Sequence, residues 1–352
     1  MKNDPMPRRS PSPQKRVVPP RSWCDPATHP LVALDSPWYQ LLVEVQHEIF
    51  EATAQFWAER GVKSSLLPIT TGSISSPMGI GSDSLPVKVT LEGTETYLAD
   101  SMQFMLEYAC RLLPEGSWYV MPSFRGEAAD ATHLCQFFHS EAEIPGDLDI
   151  LIGTVEDYLG ALARRLVETS ADGVRAAAGS VDHVEALANG SQVFTRLTFD
   201  EAADLVAGDA DAVRVLPVGA RTLTRYGERL LMERLGRFVW ITHWDHLSVP
   251  FYQAFDGDRT GVARNADLLF GPGEIVGAGE RHVHPQDLDR ALTMHGVDGP
   301  EYAWYRALKE RQPMLTSGFG MGIERFLMWL LAHDDIRDCQ LLPRFNGEPA
   351  MP

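Results

Sequence analysis

Residues 122–144, PSFRGEAADATHLCQFFHSEAEI, decide how the chain is read. An Arg-x-Glu pair closes one apolar run. Two histidines, two adjacent phenylalanines and two alternate carboxylates occupy the next. With SWYVM before it, the stretch predicts an antiparallel hairpin with a loop of several residues. Side chains alternate between faces along a strand, so Phe137, His139, Glu141 and Glu143 share one face. Such a face is too polar for core. Across the hairpin, Arg125 and Glu127 also share a face. A planar, bidentate guanidinium opposite carboxylates, beside a flat ring, suits an anionic ring-bearing ligand such as a nucleotide. A solvated hairpin with cross-strand ion pairs would give the same pattern.

A second stretch, SGFGMGIERF at 317–326, alternates Gly318, Gly320 and Gly322 with Phe319, Met321 and Ile323. Glycine along one face of a strand lets another group approach the backbone. The strand feeds an apolar helix that carries Arg325 near its start. No Walker motif or GxGxxG is present.

The rest of the chain alternates helices and strands without an internal repeat. An amphipathic helix is predicted over 37–61, closed by Gly61, and a hairpin over 85–100 turning at Glu92-Gly93. Helices are predicted over 101–113 and 147–170. TRLTFDEAADLVA reads as a strand followed by a helix capped near Thr198 or Asp200. ADLLFGPGEIVGAGERH reads as a further hairpin, and two helices follow it. The fold class expected is α+β, an antiparallel sheet flanked by helices, in one domain over 23–352 after a disordered tail at 1–22. That tail holds six prolines and no periodic apolar residues.

Formal net charge is −17. The tail carries six of the 31 Lys/Arg and one of the 48 acids, which leaves 25 bases against 47 acids in the body. Such a body repels phosphate backbones and argues against a dedicated nucleic-acid surface. No apolar run approaches the roughly 20 residues of a membrane span. The four scattered cysteines form no CxxC pair and suit a reducing cytoplasm. His243, His246, His282 and His284 include an H-x-x-H that follows a strand and has no zinc-peptidase Glu, so they read as structural.

Taken together, FRGE, HLCQFFHSEAE and GFGMGIERF resemble motifs 2 and 3 of class II aminoacyl-tRNA synthetases, nearest the aspartyl/asparaginyl group. YLADSMQF, TRLTFDEA, PFYQAF, DLLFGPGEIVGAGERH and RDCQLLPRF resemble further segments of that group in order, so the likeness runs from about residue 38 to 345. The resemblance implies ATP and Mg²⁺ as cofactors. Arg125 would bind the α-phosphate and the reacting carboxylate, Glu127 the adenine amino group, and Phe137 and Arg325 the two faces of adenine. Asp267 and Glu274 would hold Mg²⁺. Gln103, with Ser82 or Asp83, would take the α-amino end, and Arg281 would reach the substrate side chain. A homodimer is also implied, with Pro68 where motif 1 would end.

Departures from the family pattern refine these expectations. Only about 37 residues precede the first core helix, where synthetases of this group carry an anticodon-reading barrel. Freestanding cores of this kind include archaeal-type asparagine synthetases. Leu106 stands where aspartate-activating relatives place a Lys, and Glu141 where they place an Asp. An Arg with a Glu suits an amide, which both donates and accepts. The motif 2 loop is one residue short, and Thr132-His133 replaces its customary Arg-His, with His133 as a stand-in phosphate contact. The expected activity is adenylation of asparagine or an aspartate-family amino acid, with transfer to ammonia or an amine and no tRNA. Alternatives are aminoacylation of tRNA, asparagine synthesis from aspartate, activation of a side-chain amide to a nitrile, and a regulatory paralogue without turnover.

Overall fold

In the computed structural model, residues 16–75, 85–297, 299–345 and 347 are described. The sheet that organises them contains β1 (Lys63–Ser64), β2 (Ser117–Phe124), β3 (Gln136–Pro145), β4 (Thr195–Thr198), β5 (Val239–Thr242), β6 (Asn265–Phe270), β7 (Gly273–Glu280) and β8 (Thr316–Gly322). Its strand order is β1-β2-β3-β8-β7-β6-β5-β4. The six central strands are antiparallel, and a short parallel strand closes each edge. The two diagnostic stretches of sequence are therefore neighbours: β8 pairs with β3, Gly320 opposite Glu141 and Gly318 opposite Glu143.

The principal helices are α1 (Pro37–Glu59), α2 (Gln103–Leu112), α3 (Leu148–Ala178), α4 (Phe199–Val206), α5 (Arg225–Leu235), α6 (Pro285–Met294), α7 (Ala303–Arg311) and α8 (Ile323–Leu330). Alternation along the strands sends Trp118, Ala142, Ile144, Val276, Ala278, Phe319 and Met321 to one face, where α1 and α3 cover them in a single core. Phe319 lies between Trp57 and Tyr158, with ring centroids 6.2 and 5.7 Å away. The Tyr158 hydroxyl is 2.7 Å from Thr53 Oγ1 and 2.8 Å from Ser140 Oγ, so it ties both helices to β3. The opposite face of the central strands stays open and carries the polar set.

Local signals act as expected at several boundaries. Thr198 begins α4 with a complete capping box to Glu201. The small hairpin Val87–Leu91/Thr94–Leu98 turns at Glu92 and Gly93, both at positive φ (47° and 84°). Helix α3 runs beyond residue 170 because Val174 and Ala177 extend its buried stripe; it ends at Gly179, φ 88°. The tail boundary also differs. Val17 N donates to Ala176 O at 2.9 Å and Arg16 Nε to Ala177 O at 3.0 Å, so residues 16–22, assigned to the tail by composition, start on the end of α3. Free carbonyls at that helix end supply the docking partners.

Candidate active site

The open face of the sheet forms the floor of a cleft of about 820 Å³. Arg125, Glu127, His133, Phe137, Glu141, Gln103, Asp267, Glu274 and Arg325 all line it. Leu106 and Arg281 do not. Ser82 and Asp83 fall outside the described residues.

At one end the cleft is built for an anion and a flat ring. Arg125 follows β2, and its guanidinium carbon lies 5.4 Å from the centroid of Phe137. Among the described residues the buried Nε of Arg125 and the buried Oε2 of Glu127 have no hydrogen-bond partner, an orphan donor and an orphan acceptor on two residues that line the cleft. The other oxygen of Glu127 accepts from Leu85 N at 2.9 Å, which fixes the carboxylate. Arg325 donates from Nη1 to the carbonyl of Glu274 at 2.7 Å. Burial pulls its ionisation downward, and Arg125 and Arg225 pull the same way. Guanidiniums that converge like this favour a polyanion.

Further along, Asp267 and Glu274 flank Gly277. A Cβ added there would lie 3.3 Å from Glu274 Oε1 and 3.8 Å from Asp267 Oδ1. Burial raises the Asp267 carboxyl well above the ordinary range, and neighbouring Glu274 and Glu228 raise it further. Glu228, on α5, is pushed up to about 7 by burial and by Glu274. These three acids repel one another until a cation or protons join them. Among the described residues no set of three or more His, Cys, Asp or Glu side chains forms a metal cage by itself. Hard oxygen donors that leave coordination positions to another ligand fit Mg²⁺ bound with phosphate oxygens.

The other end is small and polar. Gln103 opens α2 and accepts from the Tyr252 hydroxyl at 3.3 Å. Glu141, 2 % exposed, accepts from Ser101 Oγ at 2.9 and 2.8 Å. Burial drives its carboxyl up to about 8, and the nearby Asp100 adds to the rise. His139 Nδ1 is 3.4 Å from Glu141 Oε1 and 2.9 Å from Ser123 Oγ. Burial, with Arg125 and Arg325 facing it, pushes this imidazole down to about 3, so the pair is not an ion pair at neutral pH.

Two side chains lie away from their expected places. Arg281, assigned to the substrate side chain, is 1 % exposed. It donates from Nε and Nη2 to Glu143 at 3.0 Å each and from Nη1 to Gln253 Oε1 at 3.0 Å, and lies over the Tyr252 ring. Gly318 makes this possible: a Cβ there would lie 2.7 Å from Arg281 Nη2 and would strike the Glu143 carboxylate. Leu106 is fully buried with Ala99, Met102 and Tyr119. Just behind it a second buried set joins Lys309 to Glu107 at 2.7 Å, with the Tyr305 hydroxyl also donating to Glu107.

Arg225, Glu228 and Ser101 were not singled out from sequence. Ser101 lies within YLADSMQF, one of the segments that carry the resemblance, whereas TRYGERL at the start of α5 carries no pattern of its own. The histidines are structural in part. His246 donates from Nε2 to the Gln253 carbonyl at 2.9 Å and lies 3.0 Å from His295 Nε2 through Nδ1. His282 Nε2 donates to the Phe251 carbonyl at 3.1 Å.

An antiparallel six-strand core with an arginine-bearing hairpin and a glycine strand leading into an arginine-bearing helix defines a class II aminoacyl-tRNA synthetase catalytic core, an ATP-dependent ligase. The family model described as tRNA synthetases class II (D, K and N) matches residues 27–346, and the chain belongs to that family. It is 28% identical over 311 residues to an asparagine–tRNA ligase of Chloroflexus aurantiacus, covering 86% of this chain and 68% of that one. Over 252 residues it is 30% identical to the Pyrococcus furiosus asparagine–tRNA ligase, covering 70% and 56%. Among solved structures, asparaginyl-tRNA synthetase from Pyrococcus horikoshii complexed with asparaginyl-adenylate superposes with a TM-score of 0.83 at 24% identity, over 95% of this chain and 74% of that chain. Aspartyl-tRNA synthetase from Entamoeba histolytica gives 0.73 at 18%, over 91% and 61%.

Proposed function

We infer that the chain activates asparagine with ATP to asparaginyl-adenylate and transfers the acyl group to tRNA, as the named activity of its asparagine–tRNA ligase relatives suggests. One observation carries the choice of amino acid. Among the described residues the pocket around Gln103 and Glu141 offers no unpaired cation, because Arg281 is occupied by Glu143 and position 106 is a buried leucine. A carboxylate side chain would meet Glu141 and Asp100 without compensation. An amide can donate to Glu141 and accept from a neighbouring donor.

In this reading Phe137 and Arg325 sandwich the adenine, Glu127 accepts from its amino group, and Arg125 bridges the α-phosphate and the amino acid carboxylate. Asp267 and Glu274 would hold Mg²⁺, which would supply charge neutralisation for the phosphates. The protein contributes alignment of the attacking carboxylate and fixed positive charge around phosphorus. A two-fold dimer is part of the proposal, as is usual for self-complementary interfaces.

A second reading, transfer to ammonia or another small amine, is favoured by one observation: the excess of acids over bases, which weakens attraction for a polyanionic tRNA. Two assays separate them. Pyrophosphate exchange across a panel of amino acids should respond to asparagine and collapse in Arg125→Ala; exchange that ignores that substitution removes the assignment. Charging of total tRNA should then proceed with asparagine. If exchange is present, tRNA stays uncharged and AMP release needs an amine, the second reading replaces the first.

A further inference from the structure

The loop between β2 and β3 is tied by one carboxylate. Asp130 Oδ1 accepts from the backbone N–H of Thr132 (2.7 Å) and His133 (2.8 Å) and from the Thr132 hydroxyl (2.8 Å). This turn holds the His133 ring at the mouth of the cleft, with Thr132 where a second loop arginine would stand. Opposite it, at the first residue of α5, Arg225 approaches the same ring. Its Nη2 lies 2.7 Å from Nδ1 and 3.1 Å from Nε2 of His133. Among the described residues no carboxylate is paired with Arg225. A guanidinium has five N–H donors, and an imidazole lone pair satisfies only one of them. The His133 ring also lies within the field of Arg325 and Arg125. Both residues line the cleft, and Arg225 lies within the field of Glu228 and Arg325.

We propose that Arg225 and His133 form the subsite for the distal phosphates of a nucleoside triphosphate, with Arg225 supplying from helix α5 the charge that the shortened loop lacks. The inference rests on the ATP-activating reading and assigns a residue outside its motifs. Among the described residues the His133 ring otherwise meets only its own turn, with Nδ1 3.2 Å from Thr132 Oγ1 and 3.4 Å from Asp130 Oδ1, so the guanidinium of Arg225 keeps donors to spare for an anion. A polyphosphate entering between the two side chains gives Arg225 a bidentate partner and His133 a hydrogen-bond acceptor. The same contact holds the pyrophosphate group as it departs. Transfer of the α-phosphorus to the amino acid carboxylate forms one O–P bond and breaks the bond to the bridging oxygen, whose electron pair leaves with the pyrophosphate.

The test compares ligands that carry the distal phosphates with one that does not. Binding of Mg-ATP, Mg-pyrophosphate and AMP is measured by calorimetry on the full chain and on its Arg225→Ala, Arg225→Lys and Arg225→Ala/Thr132→Arg variants. Arg225→Ala should weaken Mg-ATP and pyrophosphate by about 10- to 100-fold, the effect of losing a hydrogen bond to a charged group. AMP should bind as in the parent. Arg225→Lys should fall between, because a point charge replaces a fork. Returning an arginine to the loop in Arg225→Ala/Thr132→Arg should recover most of the loss. Unchanged Mg-ATP affinity in Arg225→Ala overturns the proposal, as does an equal loss for AMP, which would mark a distorted cleft. A parent chain that binds Mg-ATP but shows no amino-acid-dependent exchange removes the adenylation reading alone, and the contrast between ATP and AMP still decides Arg225.

Discussion

Glu141 shows how much one side chain can concentrate. Its carboxyl is raised to about 8 from the ordinary 4.5, chiefly by burial. Between those values the folded chain keeps a proton that the unfolded chain releases, so the stability it contributes is complete below about pH 4.5 and is lost as pH climbs to about 8. Glu141→Gln should flatten that part of the stability profile relative to the parent, read as urea midpoints at several pH values. A midpoint difference that stays constant with pH would contradict the assignment. The same proton governs selection. Above about pH 8 the ionised carboxylate repels an acidic side chain, so exchange driven by asparagine relative to aspartate should widen as pH rises through that value. The polar face that carries Glu141 was legible in HSEAE, because strand alternation is a local rule. The pairing of Arg281 with Glu143 was not: the partners are 138 residues apart, and only strand register brings them together. Arg225 and His133, 92 residues apart, were hidden for the same reason.

At the scale of elements, β8 is the piece on which both layers depend. Phe319 and Met321 seal the core while Gly318 and Gly320 admit carboxylates from β3. The two glycines should therefore fail differently. At Gly318 an added Cβ would lie 2.8 Å from the backbone oxygen of Ala142 and would displace the buried Arg281–Glu143 pair, so Gly318→Ala should cost about 3–5 kcal/mol of stability, as breaking a buried pair does. At Gly320 the nearest atom is Glu141 Oε1 at 2.7 Å, the end of a side chain that can rotate. Gly320→Ala should change stability little, by about 1 kcal/mol, and instead raise KM for the amino acid. Denaturation and exchange kinetics on both variants check the contrast. The Gly-apolar alternation of GFGMG made this strand readable in advance, and the capping box at Thr198 made α4 readable. The extension of α3 past residue 170 was less so, since small residues in SADGVRAAA carry a weak apolar stripe until Val174 and Ala177 meet their neighbours.

For the whole molecule, the cleft joins elements from nearly the full length of the chain, so ligand binding should be felt globally. Mg-ATP with asparagine at a hundredfold excess over Kd should add about 2.7 kcal/mol per ligand. That corresponds to several degrees in Tm at about 2–4 °C per kcal/mol. Aspartate should add less than asparagine, and chelation of Mg²⁺ should reduce the ATP contribution; thermal scans with each combination read both. Equal shifts for the two amino acids would contradict the pocket described above. No described helix is long and apolar enough to cross a membrane, as the hydropathy of the sequence indicates.

The glycine strand also limits how this pocket can change. Its floor takes no side chain from Gly318 or Gly320, already the smallest residues possible, and the carboxylates of Glu143 and Glu141 lie against their backbone. No substitution there can deepen the cavity, and each one makes it shallower. A variant that accepts a longer amino acid must gain its room from the side walls, at Ser75, Ser101 or Tyr252, while the floor stays fixed. Adaptation to new substrates is therefore confined to a few positions around the rim, and the two central strands become the most conservative part of the site.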